Sequence, residues 1–140
     1  MRLLLDTCIF IYMATEPENL SREVDSLLND YDNQLYISMK SVEELIVAYR
    51  HKGLWRKKWK TADDIINSIK EEFYITILPI HEEHIHTYAR LQINEAQGHH
   101  DPSDHIIIAH AITEKMTLIS SDRKFEFYRG QGLDFVWNKR

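Results

Sequence analysis

Four carboxylates are the side chains of this sequence best suited to chemistry, although they lie far apart along the chain. They are Asp6, Glu44, Asp104 and Asp122, and each falls where a predicted strand gives way to a loop or helix. Ligands of parallel α/β sheets collect at the carboxyl ends of the strands, so these positions are expected to converge on one edge. Gathered carboxylates repel one another unless a hard cation neutralises them. The pattern therefore predicts a Mg²⁺ or Mn²⁺ site and chemistry at phosphate.

Three of these acids also have a purely structural explanation. Glu44 stands three residues after Ser41, which is the signature of a capping box with Ser41 as the N-cap. Asp101 could cap the helix that follows it, with Asp104 in the first turn, where the helix dipole favours a carboxylate. Asp122 could simply begin a turn. Taken singly, each of the three is explained as well by local structure as by a metal site.

Asp6 has no such simple explanation. It follows the apolar run Leu3–Leu5, which predicts a buried strand in the middle of a sheet. A carboxylate there costs several kcal/mol unless a basic partner or a cation accompanies it. Because all four acids stand at strand or helix junctions, a shared metal site explains them more economically than four separate structural roles.

The elements that must position these acids alternate between strands and helices. Apolar and β-branched runs predict strands at residues 3–5, 35–38, 74–78, 117–120 and 133–137. Apolar periodicity and capping signals predict helices at residues 9–13, 20–29, 41–49, 61–72, 81–94 and 101–112. This alternation predicts a three-layer α/β/α fold around a four- to five-stranded, mostly parallel sheet. No repeat or Pro/Gly-rich linker divides the chain, so residues 1–140 are predicted to form a single domain.

The composition fits a soluble protein of ordinary character. The chain has 140 residues, of which 44% are hydrophobic and 28% are charged, which is enough for one domain with a real core. No segment is expected to cross a membrane, and the first apolar run is too short for a signal peptide. Its one cysteine, Cys8, cannot form an internal disulfide and is expected to be a small buried residue. A cytoplasmic location is predicted.

A basic stretch between residues 50 and 60 contrasts with the net charge of −5. Two tryptophans, Trp55 and Trp59, are interleaved with its cations, which are Arg50, Lys52, Arg56, Lys57, Lys58 and Lys60. Basic side chains beside aromatic rings can follow a phosphate backbone and stack on bases. A solvated helix face or a protein-binding surface would have the same composition. Nucleic-acid binding by this stretch therefore stays one of three hypotheses.

The segments around the acids resemble the four signature blocks of the PIN-domain nucleases, and among these the VapC-type toxins of bacterial toxin–antitoxin pairs. The blocks are residues 3–7, 41–45, 101–109 and 118–125, and the likeness extends from Arg2 to about Val136. By position, the resemblance implies that the acidic quartet is Asp6, Glu44, Asp104 and Asp122. It also implies supporting roles for Thr7, Asp101 and Ser120.

The resemblance implies an activity as well. A PIN domain of this type would be a Mg²⁺- or Mn²⁺-dependent endoribonuclease that leaves a 5′-phosphate and a 3′-hydroxyl. Asp6, Asp104 and Asp122 would be metal ligands, and Glu44 would act through a water molecule. The implied partners are an RNA substrate, a cognate antitoxin and a second copy of the chain. The apolar helical faces between Leu20 and Leu45 could supply the dimer surface.

Other functions are less well supported by the residues. A haloacid-dehalogenase-like phosphatase requires a second Asp two residues after the first, where this chain has Cys8. A receiver domain requires an acidic pair near its start, and that pair is missing. A catalytically silent PIN-like module that binds RNA or protein would be expected to have lost an acid, and the quartet is intact. The silent module remains the main alternative.

The eight histidines do not form a recognisable zinc motif. His81 and His84 are three residues apart, whereas the metalloprotease motif needs a spacing of four. His99 lies in a polar stretch before the third acidic block, where it could touch RNA or be exposed. His105 and His110 stand where many PIN domains have Arg and Gln or Ala, respectively.

Overall fold

The structure, a computed structural model, describes residues 1–139 and contains one five-stranded sheet in which every strand pair is parallel. Its strands run in the order β3-β2-β1-β4-β5, so β1 is central. The strands are β1 (Arg2–Leu5), β2 (Gln34–Ser38), β3 (Thr76–Leu78), β4 (Thr117–Ser120) and β5 (Asp134–Trp137). The predicted three-layer α/β/α class is confirmed, with a sheet that is wholly rather than mostly parallel.

Six α-helices connect and cover the strands. They are α1 (Thr7–Thr15), α2 (Arg22–Leu28), α3 (Met39–Lys52), α4 (Ala62–Asn67), α5 (Glu82–Arg90) and α6 (Pro102–Glu114). Helical segments of 3₁₀ or π type occur at Pro17–Asn19, Ser68–Glu72, Glu95–Gln97 and Arg123–Gln131. Within residues 1–139, no helix combines the length and apolarity needed to cross a membrane.

Successive side chains of β1 point to opposite faces of the sheet, and the core consists of one apolar layer on each face. Leu3 and Leu5 pack with Phe10 and other residues from α1 to α4, whereas Leu4 packs with α6 and the Arg123–Gln131 segment on the opposite face. All three leucines are fully buried. A strand covered on both faces reads as a continuous apolar run, which is why the sequence predicts β1 so clearly.

The predicted capping box at Ser41 is wrong. Helix α3 begins at Met39, directly after β2, and its N-cap is Ser38, whose hydroxyl accepts a hydrogen bond from the Lys40 N–H at 3.1 Å. Ser41 therefore lies inside the helix and is buried. Because the strand passes straight into the helix, its last residue takes the capping role, and Glu44 is not needed for it. The capping box predicted at the start of α4, between Thr61 and Asp64, is present.

Two other predicted elements, one helix and one strand, are too long. Helix α5 ends at Arg90, because Leu91 has extended backbone angles, so the helix predicted to residue 94 is four residues shorter. Strand β3 begins at Thr76 rather than at Tyr74, whose φ of +54° lies in the left-handed region and interrupts an extended strand.

Trp59 belongs to the core and not to the basic surface. Its side chain is 3% exposed and stacks on Phe10 with ring centroids 6.1 Å apart. The Tyr49 hydroxyl donates a hydrogen bond to the Trp59 carbonyl at 2.9 Å, which fixes the loop after α3. The predicted stacking of Trp59 on nucleic-acid bases is therefore wrong, since the ring is covered by the core.

Truncation of this ring is expected to destabilise the fold strongly. Trp59→Ala should lower the free energy of unfolding by about 3–5 kcal/mol, because it opens a cavity beside Phe10. The exposed neighbour Lys57→Ala is the matched control and should stay within about 0.5 kcal/mol of the parent chain. Urea unfolding followed by circular dichroism measures both, and equal midpoints for the two variants would contradict the burial of Trp59.

Candidate active site

Asp6 lies at the centre of the carboxyl edge of the sheet, between β1 and α1. As the N-cap of α1 it accepts a hydrogen bond on Oδ1 from the Thr7 N–H at 2.8 Å. The Ser120 hydroxyl, at the end of the neighbouring β4, donates to Asp6 Oδ2 at 2.6 Å. Only 7% of the residue is exposed. The Cys8 thiol also donates to Oδ2, at 3.8 Å, so three uncharged donors contact the carboxylate.

Asp122 is joined to Asp6 through the same hydroxyl. Its backbone N–H donates to Ser120 Oγ at 3.1 Å, while its Oδ1 accepts from the Lys124 N–H at 3.0 Å. Asp122 therefore caps the Arg123–Gln131 segment, as the turn hypothesis predicts, and it also lies beside the carboxyl end of β4. The two roles are compatible.

Glu44 reaches the site from α3. Its Oε1 accepts a hydrogen bond from the Thr7 hydroxyl at 2.8 Å, so Thr7 links the backbone next to Asp6 with the carboxylate of a different helix. Glu43, by contrast, is exposed and pairs with Lys40 at 2.6 Å. Of the two neighbouring acids, Glu44 is therefore the one that faces Asp6.

Asp101 and Asp104 belong to the start of α6. Asp101 is exposed and caps the helix by accepting from the Ser103 N–H at 2.9 Å. Asp104 is turned towards the interior, where its Oδ2 lies 2.9 Å from Nε2 of His99. His99, Asp104 and Asp122 each place one potential ligand atom within 4.8 Å of the others.

The exposure predicted for His99 is wrong, because its side chain is 2% exposed. The ring packs against His105 and Phe125 at centroid distances of 4.9 and 5.3 Å. Sequence reasoning missed this residue because a histidine in a polar stretch carries no signal of burial. His105 is buried as well, and its Nε2 lies 2.9 Å from the His99 carbonyl oxygen. His105 thus faces the interior, away from any position of direct substrate contact.

The electrostatics of the site are those of crowded negative charge. Burial, followed by repulsion from Asp104, raises the pKa of Asp6 to about 7, despite the hydrogen bonds from Ser120 and Thr7. Burial also raises the pKa of Glu44, with Asp101 and Asp104 adding to the effect. No lysine or arginine among residues 1–139 forms an ion pair with any member of the quartet. The protein itself leaves this charge largely uncompensated.

The donor set fits a hard divalent cation. Carboxylate oxygens are the ligands that Mg²⁺ and Mn²⁺ prefer. Oδ1 of Asp6 accepts one hydrogen bond, from the Thr7 N–H, and so keeps a lone pair for coordination, whereas Oδ2 accepts from the Ser120 hydroxyl and from the Cys8 thiol at 3.8 Å. The same environment disqualifies Cys8 as a nucleophile. Burial and the nearby Asp6 raise the pKa of its thiol to about 12, so the reactive thiolate is absent at neutral pH.

A model of the family described as PIN domain matches residues 3–130. The chain belongs to the PIN domain family. Its match covers all four acidic segments, and the resemblance inferred from the residues is confirmed at the level of this family. No curated protein matches the sequence.

Solved structures share the fold of this PIN domain over its whole length. A chain of VapBC2 from Rickettsia felis, bound to a DNA fragment from their promoter, has a TM-score of 0.72 at 19% identity, covering 97% of this chain and 98% of that one. VapBC-1 from nontypeable Haemophilus influenzae gives a TM-score of 0.68 at 22% identity, with both chains fully covered. FitAcB from Neisseria gonorrhoeae gives 0.66 at 23% identity, covering 96% of each chain. At these identities the likeness is one of fold.

Some cations of the basic stretch between residues 50 and 60 are engaged in contacts within the protein, and others are exposed. Arg56 donates to the Tyr49 carbonyl at 2.9 Å and lies over the Tyr49 ring, while Lys58 pairs with Glu72 at 2.9 Å. Arg50, Lys52 and Lys57 are exposed at the end of α3 and after it. A cavity of about 320 Å³ connects the end of α3 with the acids, since its lining residues are Glu43, Glu44, Val47, Ala48, Lys52 and Ser103.

A second group of possible ligands, Glu83, His84 and Glu114, does not have the protonation of a metal site. Nδ1 of the buried His84 accepts a hydrogen bond from the His81 N–H at 2.8 Å, so the proton of the neutral ring resides on Nε2. That Nε2–H points towards Glu114, 3.7 Å away, and offers no lone pair to a cation. The expectation against a structural zinc at His81 and His84 is consistent with this tautomer.

The pKa of Asp6 predicts an unusual pH dependence in chelator. Because this pKa is about 7 in the folded protein and 3.8 without the fold, the folded state binds more protons between these values, and its stability falls as pH rises from about 4 to about 7. Asp6→Asn removes the charge and should be the more stable protein at pH 7, by up to about 4 kcal/mol. The difference between the two proteins should shrink towards pH 4.

Urea unfolding of both proteins in EDTA across this pH range measures the difference. Glu43→Gln, an exposed acid paired with a lysine, serves as the control and should leave the pH profile of the parent chain unchanged. A loss of stability on Asp6→Asn at pH 7 would mean that the ionised carboxylate supports the fold rather than opposing it.

Proposed function

We propose that this PIN domain is a Mg²⁺- or Mn²⁺-dependent endoribonuclease, the toxin of a toxin–antitoxin pair. The observation that carries the proposal is the buried Asp6 carboxylate, which has Asp104 and Glu44 as charged neighbours and no basic partner within residues 1–139. A fold gains nothing in stability from such a cluster. Its retention is explained by a cation that binds there and by chemistry on a substrate that carries phosphate.

The residues divide the work between holding the ion and handling the proton. Asp6, Asp104 and Asp122 would hold the ion, which when bound supplies an activated water and polarises phosphate oxygens. Glu44, with its raised pKa, can accept the proton of the attacking water. Thr7 orients Glu44, and Ser120 orients Asp6, each through one short hydrogen bond. Asp101 lies at the rim, where its charge adds to that of Glu44 and draws the cation.

RNA would approach the acids along α3. The cavity beside Glu44 leads to Lys52, and Arg50 and Lys57 continue the positive surface beyond it. None of these three cations forms an ion pair with another residue in the described part of the chain. Their charges can attract the phosphates that flank the scissile bond. Arg56 and Lys58 belong to the same predicted surface, but their intramolecular contacts hold them in place and weaken their contribution.

A cognate antitoxin and a second copy of the chain are the proposed protein partners, in the cytoplasm. The similar folds from Rickettsia felis and Haemophilus influenzae are those of VapBC complexes, and a free ribonuclease would harm its own cell. Exposed apolar side chains along α3, such as Met39 and Val47, offer contact area near the acids. The dimer surface is proposed on the helical faces between Leu20 and Leu45.

A nuclease assay on the purified chain, freed of any partner, tests the activity. Structured and unstructured RNAs are incubated with Mg²⁺, with Mn²⁺ or with EDTA. Asp6→Asn and Glu44→Gln should each reduce cleavage by about 100-fold or more, because they remove a ligand or the proton acceptor. Glu43→Gln, one residue from Glu44, should cleave at the parent rate.

Two results would reject the nuclease. Cleavage that persists in EDTA or in Asp6→Asn would identify a contaminant. RNA binding without cleavage, on every RNA tried and with either metal, would favour the catalytically silent module that binds RNA or protein.

The RNA path has its own test. Reversal of the two unpaired lysines, Lys52→Glu with Lys57→Glu, should weaken binding of a single-stranded RNA about tenfold or more at low salt and reduce the salt dependence of the affinity. The matched control reverses Lys115, an exposed lysine at the far end of α6. Fluorescence anisotropy on cleavage-deficient Asp6→Asn protein measures both. Equal salt slopes for the two proteins would remove the basic stretch from the RNA surface.

A further inference from the structure

A buried chain of hydrogen bonds ends on Asp104 and contains groups to which the proposed reaction assigns no role. It runs from the Asn94 backbone to Tyr128, from Tyr128 to His99 and from His99 to Asp104, with distances of 3.1, 2.9 and 2.9 Å. All three residues before Asp104 are at most 2% exposed. A buried polar chain of this kind is costly unless every member is satisfied.

The donor and acceptor of each hydrogen bond follow from the groups at the two ends of this network. The Asn94 N–H can only donate, so the Tyr128 oxygen accepts from it. Among the described residues, the remaining partner for the Tyr128 hydroxyl hydrogen is Nδ1 of His99. Burial raises the pKa of Tyr128, which keeps this hydrogen in place. Nδ1 is then the acceptor, and the neutral ring carries its proton on Nε2.

The Asp104 carboxylate can only accept, which matches an Nε2–H donor at 2.9 Å. A cationic His99 would donate from both nitrogens and leave the Tyr128 hydroxyl hydrogen without an acceptor. A metal bound to Nε2 would leave the same hydrogen without an acceptor, since Nδ1 would then carry the proton. The neutral ring with Nε2–H satisfies every group, so geometry favours a donor over a ligand.

The ring is also held mechanically. His105 lies edge-on to it at 4.9 Å, Phe125 packs beside it at 5.3 Å, and His105 contacts the His99 carbonyl oxygen through Nε2 at 2.9 Å. Asn94 in turn is tied to the Lys124 carbonyl, two residues from Asp122. The network thus joins the loop before α6 to the segment after β4, the two parts of the chain that carry Asp104 and Asp122.

We propose that His99 is a positioning residue that donates from Nε2 to Asp104 Oδ2, with its tautomer set by Tyr128, and so presents the other oxygen of Asp104 to the divalent cation. The inference rests on the proposed function, because it assigns Asp104 to the metal. A neutral donor orients the carboxylate without cancelling the charge that attracts the ion. Partners of this kind typically change metal affinity by about 10–100-fold when they are removed.

Mn²⁺ binding to the full-length chain, followed by the electron paramagnetic resonance signal of free Mn²⁺, tests the inference without an activity assay. His99→Leu should weaken Mn²⁺ affinity about 10–100-fold. His99→Gln, which can place an amide N–H near the position of Nε2, should recover most of that loss. His100→Leu, at the exposed neighbouring histidine, is the matched control and should bind as the parent chain does.

Tyr128→Phe keeps the ring in the core and removes only the hydroxyl that sets the tautomer, so it covers the case in which His99→Leu fails to fold. It should weaken Mn²⁺ affinity by about threefold or more. Urea unfolding of each variant shows that the comparison is made on folded protein. Parent affinity in folded His99→Leu, or in Tyr128→Phe, would overturn the positioning role.

Pulsed electron paramagnetic resonance of the bound Mn²⁺ separates a donor from a ligand. The expected spectrum lacks strong coupling to an imidazole nitrogen, and such a coupling that disappears in His99→Gln would overturn the inference by making His99 a ligand. Failure of the proposed function looks different. In that case Asp6→Asn and Asp104→Asn would bind Mn²⁺ as the parent chain does, whereas failure of the inference alone leaves those two acids essential.

Discussion

Repulsion among carboxylates at the carboxyl edge of the sheet is the constraint around which this protein is built. The parallel pairing of β1 with β4 sets Asp6 beside Ser120, and α3 and α6 bring Glu44 and Asp104 to the same edge. Burial, and after it the repulsion from Asp104, raises the pKa of Asp6. Hydrogen bonds from hydroxyls and backbone N–H groups orient these carboxylates, and within residues 1–139 no lysine or arginine side chain forms an ion pair with them.

Such a cluster needs a rigid frame, because flexible carboxylates would move apart. The frame is the central strand, whose three leucines are buried in apolar layers on both faces. Burial of each leucine contributes about 1.5–3 kcal/mol, which is enough for β1 to offset the cost of the charge that ends it. Neutral hydroxyls orient the carboxylates further. Ser120 donates to Asp6 and Thr7 donates to Glu44, and neither hydroxyl cancels the negative charge that attracts a cation.

The fold was predictable from the sequence because the strands and helices depend on local pattern. The run Leu3–Leu5 followed by Asp6 specifies a buried strand with a charge at its end, and the same logic applies to Thr117–Ser120. Prediction failed where tertiary contacts decide between local options. Ser41 has the spacing of a cap, but β2 passes directly into α3 and leaves that role to Ser38. Trp59 has cationic neighbours in sequence, yet Phe10 lies beside it in space.

His99 shows why the least predictable part of the site is the part that orients it. Asp6, Asp104 and Asp122 are recognisable because each sits at the start of a helical segment, which sequence periodicity reveals, whereas Glu44 lies inside α3. Asp104, by contrast, is bonded by His99 from a loop. The His99 ring is in turn bonded to a distant tyrosine and packs beside Phe125, and none of these contacts has a sequence spacing to detect. The fold determines the position of a carboxylate at the end of a strand or the start of a helix. The orientation of that carboxylate depends on side-chain contacts that are specific to each sequence. Proteins of about 20% identity share this fold, and a fold fixes where strands end rather than which side chains orient a carboxylate.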